Sequence, residues 1–250
     1  MSWASIIKSR LPVKFKNALK DSVFNYLRFV IHEIRKTLIP QRYFGQTAED
    51  VILGIYLPEK VGSYIDIGAG RPVSGSNTYG FYKRGWRGVC VDPISENCRL
   101  FRLFRPSDKI LNCLVGPDSK SIDFWEFEPY EYSTADQMVA DRVIQVDGVR
   151  LLEKSSKAIL PLSQIASPTS PIEASLLSVD VEGFDLEVLK SNDWEKYRPR
   201  VICVEEWGST LDDSFKSEVG AFLISKNYQR KAWTGLSSIF VEQSYLSMTN

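Results

Sequence analysis

The sequence predicts a doubly wound α/β fold: a mostly parallel, seven-stranded sheet closed by a C-terminal antiparallel hairpin, with a helical extension at the N-terminus. Three observations carry that expectation. Near-continuous apolar runs alternate with stretches of helical periodicity, the pattern of strands buried on both faces and joined by crossover helices. The first two of these runs end in an acid, Asp66 and Asp92. The last two apolar runs are separated only by Thr234-Gly-Leu-Ser237, a turn too short for a parallel crossover.

Taken in order, Phe15, Leu19, Val23, Leu27, Val30, Ile34 and Leu38 recur every three or four residues and form a helical stripe ended by Pro40. Residues 47–57 read as a helix stopped by Pro58. Strands are expected at 63–67, 88–92, 109–115, 175–181 and 200–206, with helices at about 76–84, 95–104, 184–191 and 214–226. The hairpin strands are 228–234 and 238–243. Residues 117–172 are too long for a simple connection. They read as an insertion on the substrate side, with Ser167-Pro-Thr-Ser-Pro171 as loop.

Length and composition set the frame. A chain of 250 residues, 44% apolar and 25% charged, fits one large domain with an extension. The domains expected are therefore an extension over 1–42 and a body over 43–250. Net charge is zero, but residues 1–42 hold nine Lys/Arg against Asp21 and Glu33, a net of +7, so the body carries −7. No nucleic-acid partner is expected for such a body. The basic amphipathic leader packs on the domain or lies peripherally on an anionic membrane. Four scattered cysteines form no metal spacing and no disulfide framework, which fits a reducing compartment. No apolar run is long enough to span a bilayer, and the N-terminus lacks the apolar segment and cleavage site of a secretory signal. A cytoplasmic protein, peripheral at the inner membrane surface through its leader, is the expectation. His32, the only histidine, reads as a surface or packing residue.

The most informative stretch is Ser63-Tyr-Ile-Asp-Ile-Gly-Ala-Gly70. A strand that runs into Asp66 and then Gly68 and Gly70 brings bare backbone N–H groups to a ligand at the carboxyl edge of the sheet. The acid repels a pyrophosphate but suits an ammonium. Twenty-two residues beyond Gly70, Asp92 ends the next strand, where a carboxylate can bind both hydroxyls of a ribose or cap the following helix. An amino acid at one end and a ribose at the other describe S-adenosylmethionine. The dinucleotide pattern fails, because Val73 stands where its last glycine belongs. Asn112, in the third strand, is the candidate for the adenine.

Asp180 and Glu182, before Gly183, close the fourth strand; Glu205 and Glu206 close the fifth. One acid caps the following helix, or at least one stands beside the transferred methyl as base or orienter. Asp180, Glu182 and Glu205 are the catalytic candidates. Together these strand ends could instead hold a divalent cation through oxygen ligands; with no histidine near, zinc does not fit, and no metal ligands are assigned. Phe124, Trp125, Phe127, Tyr130 and Tyr132 interleave with Glu126, Glu128 and Glu131, as in a half-buried strand or in a pocket for a sugar or other polyol. Ser133-Thr134-Ala-Asp136 would be a polar loop over that pocket.

These residues resemble the FkbM-type methyltransferases, a class I S-adenosylmethionine-dependent group. The resemblance rests on Tyr64–Gly70, Ser76-Asn-Thr78, Gly85-Trp-Arg-Gly88, Val91-Asp-Pro93, Ser178-Val-Asp-Val-Glu-Gly183 with Val188-Leu-Lys190, Val201–Glu206 and, upstream, Phe44-Gly-Gln-Thr-Ala-Glu-Asp50. It covers about residues 43–243. It implies a Rossmann-like fold and O-methylation of a hydroxyl on a sugar, glycan or natural-product acceptor. Asp66, Gly68, Gly70 and Asp92 would hold the cofactor, with Asp180 and Glu182 as signature acids. Arg71-Pro-Val-Ser-Gly75 replaces a shorter glycine turn, so Ser76 and Asn77 would take over part of the grip on the methionine end. The alternatives are a non-catalytic scaffold of the same fold at a membrane surface, and a nucleotide-dependent oxidoreductase.

Overall fold

The computed structural model describes residues 21–38, 43–117, 120–166, 175–206 and 216–249. Expectations that fall on Phe15 and Leu19, on the Ser167–Pro171 loop and on the first residues of the 214–226 helix lie outside these. The chain divides into two compact units, Met1–Arg42 and Tyr43–Asn250.

In the first unit, α1 (Asp21–Leu38) is a single helix. Its Leu27, Ile31, Ile34 and Leu38 are exposed, and Arg28 and Arg35 share that exposure.

The second unit is built on β1 (Ser63–Ile67), β2 (Arg87–Val91), β3 (Lys109–Leu111), β7 (Leu176–Val179), β8 (Val201–Glu205), β9 (Tyr228–Trp233) and β10 (Ser237–Glu242), in the order β3-β2-β1-β7-β8-β10-β9. The first five are parallel, and β10 runs antiparallel to both β8 and β9. Alternation along each strand splits the core in two. Ile65, Ile67, Leu177, Val179, Ile202 and Val204 pack on one face with Val188 and Leu189 of α7 (Asp185–Lys190) and Leu223 of α8 (Glu218–Ser225). On the other face, Tyr64, Leu176, Val201 and Cys203 meet Leu53 of α2 (Glu49–Tyr56), Phe81 of α3 (Tyr79–Arg84) and Phe101 of α4 (Ser95–Phe104). Helices therefore cover both faces, and the order of the strands reverses between β1 and β7, where such sheets open a crevice.

The strand expected over 109–115 is broken. It ends at Leu111, and β4 (Leu114–Val115) leaves to pair with β6 (Arg150–Leu160). With β5 (Ser121–Glu128) these make a second, three-stranded sheet of order β4-β6-β5. The insertion is thus a folded hairpin, with α5 (Gln137–Val143) and α6 (Leu162–Ile165) flanking β6 in sequence. The aromatic run divides by parity: Trp125 and Phe127 pack on Ala140 and Val143 of α5, while Phe124 joins Ile94, Leu114 and Ile159. A last helix, α9 (Gln243–Thr249), follows β10 and was not expected. All four cysteines are free and buried. No helix among the described residues is long and apolar enough to cross a membrane.

Candidate functional site

A cleft opens at the carboxyl ends of β1, β2 and β7, between the main sheet and the insertion. Gly68, Gly70, Asp92, Asp180 and Glu182 line it from the main sheet, and Phe124, Tyr130, Glu131 and Ser133 from the insertion. Ile94, Cys113, Leu114 and Val115 form an apolar wall.

The glycine turn is fixed by backbone bonds. The N–H groups of Gly68 and Ala69 donate to the Val91 carbonyl at 2.9 and 3.1 Å, and Gly70 N–H donates to Asp92 Oδ2 at 2.9 Å. Gly68 sits at φ +72°, and a Cβ there would run into the Asp180 carbonyl oxygen. Only glycine lets the two strand ends approach this closely. The other oxygen of Asp92 accepts the Ile94 N–H at 2.8 Å and the Asn97 amide at 3.1 Å. Burial pushes the Asp92 carboxyl up to about 7 against the pull of these donors. Asp92 thus braces the glycine turn and the segment that leads into α4, and it still faces the cleft.

Four residues expected at the cofactor do not line the cleft: Asp66, Ser76, Asn77 and Asn112. The reason for Asp66 is parity. Ile67 points to the cleft side, so Asp66 faces the opposite layer, where it accepts the Thr78 hydroxyl and a hydrogen bond from Ser178. Burial raises its pKa, against the nearby Arg105 guanidinium. That guanidinium is fully buried and organises the underside of the turn. It donates to the Tyr64 hydroxyl at 2.8 Å, Thr78 Oγ1 at 3.0 Å, Ser76 Oγ at 3.2 Å and the Pro72 carbonyl at 3.4 Å, and it pairs with Asp108 at 2.8 Å. Ser76 Oγ also accepts the Thr78 and Tyr79 N–H groups at the start of α3. Asn77 donates to Ser178 Oγ at 3.3 Å and Cys203 Sγ at 3.7 Å. Asn112 donates to the Asp92 carbonyl at 2.9 Å and accepts from Ser95 at 2.9 Å, and its neighbour Cys113 is the residue that reaches the cleft.

The acids at the end of β7 stand differently. Neither caps the helix that follows: Asp185, the first residue of α7, instead accepts Val181 N–H through Oδ1 at 3.3 Å and Gly183 N–H through Oδ2 at 3.2 Å. Asp180 and Glu182 are left in the cleft wall with no hydrogen-bond partner for either carboxyl group among the described residues. Both pKa values are raised, first by burial and then by neighbouring acids, Asp185 for Asp180 and Asp180 for Glu182. One carboxylate oxygen each from Asp180, Glu182 and Glu205 lie within 4.8 Å of one another. Glu205 does not line the cleft, and Glu206 turns away into an ion pair with Arg230 at 2.8 Å. Among the described residues no histidine or cysteine joins this group, and no similarity to known proteins supports a divalent cation there.

Three contributors were not read from the sequence: Asp185, Arg105 and Gln46. Gln46 reaches the cleft from the turn before α2, where Asp50 accepts the Phe44 and Gly45 N–H groups at 3.0 and 3.1 Å.

The donor set suits S-adenosylmethionine. A glycine turn and acids border one side of the cleft, a carboxylate with a face to the cleft stands at the end of β2, and apolar side chains offer a wall for a flat ring.

A model of the methyltransferase FkbM domain matches residues 66–229. No curated protein matches the chain. Solved structures with general likeness include the 1,6-didemethyltoxoflavin-N1-methyltransferase of Burkholderia thailandensis, with bound 1,6-didemethyltoxoflavin and S-adenosylhomocysteine (12% identity, 78% of this chain and 76% of that one, TM-score 0.38). Another is the precorrin-6y C5,15-methyltransferase of Geobacter metallireducens (11% identity, 81% and 91%, TM-score 0.41). At this level such likenesses say nothing of acceptor or site. The family match spans more than half of the chain and takes in the glycine turn, Asp92 and the acids of β7, and by it the protein belongs to the FkbM-domain family of S-adenosylmethionine-dependent methyltransferases.

Proposed function

We propose that this protein methylates a hydroxyl of a sugar, glycan or natural-product scaffold, with one carboxylate of the Asp180 and Glu182 pair taking up the hydroxyl proton and S-adenosylhomocysteine as the other product. The observation that carries this reading is the pair of cleft acids whose carboxyl groups accept no hydrogen bond among the described residues, beside a braced glycine turn. S-adenosylmethionine would supply a methyl already activated on its sulfonium, and Gly68, Gly70 and Asp92 would hold it. The protein's part is alignment, for which positioning alone is worth several kcal/mol. An alcohol is a weak nucleophile until its proton is drawn away, and a carboxylate of raised pKa is the stronger base for that task. Asp180 is the first choice, with Glu182 and then Glu205 behind it. Tyr130 and Phe124 would offer aromatic faces to a sugar ring, with Glu131 and Ser133 for its hydroxyls.

An acceptor screen with labelled methyl donor, followed by Asp180→Asn, tests the proposal. The variant should keep S-adenosylhomocysteine binding and lose about 10²-fold or more in turnover. Near-normal turnover would remove Asp180 from the role. Binding without turnover on any acceptor would favour a scaffold, and NAD binding an oxidoreductase.

For residues 1–42, the net charge of +7 and the exposed Leu27, Ile31, Ile34 and Leu38 beside Arg28 and Arg35 support peripheral contact with an anionic membrane. Equal flotation with anionic liposomes for the full chain and for one lacking residues 1–42 would dismiss it.

A further inference from the structure

We infer that Thr134, from the insertion, is a positioning residue that sets the orientation of Glu182. Glu182 lies at φ +54°, in the left-handed region that side chains other than glycine rarely adopt, and Gly183 follows at φ +94°. Such a conformation is strained and persists only where its surroundings enforce it. Asp185 fixes the two residues that flank Glu182 by accepting their N–H groups. The Glu182 carbonyl is held from across the cleft, where Thr134 Oγ1 donates to it at 2.8 Å.

Thr134 is built for this bond. It is 1% exposed, and its backbone exchanges two hydrogen bonds with Trp125 of β5, at 2.9 and 3.1 Å. Its hydroxyl accepts the Asp136 N–H at 2.9 Å, which leaves its one proton for Glu182. Asp136 in turn caps α5 through the Val139 N–H at 3.0 Å. The Val139 side chain presses on the same turn, 2.8 Å from where a Cβ on Gly183 would stand. The insertion thus grips the Glu182–Gly183 turn at two points, with the same segment that puts Tyr130, Glu131 and Ser133 into the cleft wall. An acceptor that moves this segment would move Glu182 with it. The importance of the link to catalysis rests on the proton-handling role proposed above; the link itself does not.

The test follows the titration of Glu182 in the full chain by NMR of carboxyl-labelled glutamate, with the resonance assigned by its disappearance in Glu182→Gln. In Thr134→Val the freed turn should let Glu182 reach solvent, and its pKa should fall by about one unit or more toward the ordinary glutamate value. Thr134→Ser keeps the hydroxyl and should titrate like the parent. S-adenosylhomocysteine affinity, by calorimetry, should change less than about threefold in either variant, well under 1 kcal/mol. An unchanged titration in Thr134→Val overturns the inference, and so does a serine variant that behaves like the valine one. If the valine variant does not fold, Thr134→Ala is read by the same criteria. Normal turnover of Glu182→Gln would instead sink the catalytic role of Glu182 and leave the clamp to be decided by the titration.

Discussion

The carboxylate of Asp92 receives the backbone N–H of Gly70 at 2.9 Å, so the acid that ends β2 holds the glycine turn that ends β1. Asp92→Ala removes the acceptor for Gly70, Ile94 and Asn97 together. Buried donors left without partners cost about 1–3 kcal/mol. The variant should lose about that much stability in urea unfolding. It should also lose S-adenosylhomocysteine binding by more than the stability change accounts for, as measured by calorimetry on the folded fraction.

Gly68 is the second fixed point. An alanine would have to leave φ +72° and displace the Asp180 carbonyl. Left-handed strain and overpacking together predict a loss of about 2–4 kcal/mol. Urea unfolding reads this directly. A Gly68→Ala protein as stable as the parent would mean that β1 and β7 do not approach as described.

Arg105 should be among the most sensitive residues in the molecule. Its guanidinium is fully buried and answers to Asp108, Tyr64, Ser76, Thr78 and Pro72. Replacing it with leucine leaves Asp108 uncompensated, for which about 3–5 kcal/mol is expected. Lysine keeps the charge but not the planar fork, so Arg105→Lys should recover only part of the loss. Thermal unfolding of the three proteins would decide it.

Stability should also depend on pH through Glu182. Its pKa is raised in the folded chain, by burial and then by Asp180, Asp185 and Glu131. A raised acid binds its proton more tightly folded than unfolded. Its stabilisation is therefore present below the ordinary glutamate value and is lost as pH rises through the folded value. Glu182→Gln removes that dependence. At about pH 5 the variant and parent should melt alike, and at about pH 8 or above the variant should be the more stable. A gap that shrinks as pH rises would contradict the burial of this acid.

The main sheet could be read from the chain because its signals are local. Apolar runs such as Val201–Glu205 carry their own strand character, and Gly68, Gly70 and Asp92 mark the turns where strands end. The site was read less well, because a ligand-facing side chain depends on parity and on partners far along the chain. Asp66 looked like a cofactor anchor, yet one residue of alternation turns it to the opposite layer. Asn112 and Cys113 fall in the break between β3 and β4, where it is Cys113 that reaches the cleft. Arg105 lies just past the end of an amphipathic helix, in Phe-Arg-Pro-Ser-Asp, where nothing nearby shows that the guanidinium folds inward. The insertion was recognised as a long segment, but its sheet is made by pairing Leu114 with Ile159, 45 residues apart in the chain, which no local pattern reveals.

The methyl donor is expected in the cleft bounded by Gly70, Asp92 and Asp180. A crystal structure of the complex with S-adenosylhomocysteine tests it most directly. The ribose hydroxyls should lie on Asp92, the amino-acid end over the Gly68–Gly70 turn and the sulfur toward Asp180 and Glu182. Ligand density elsewhere, or a cleft closed by its own side chains under saturating ligand, would contradict it.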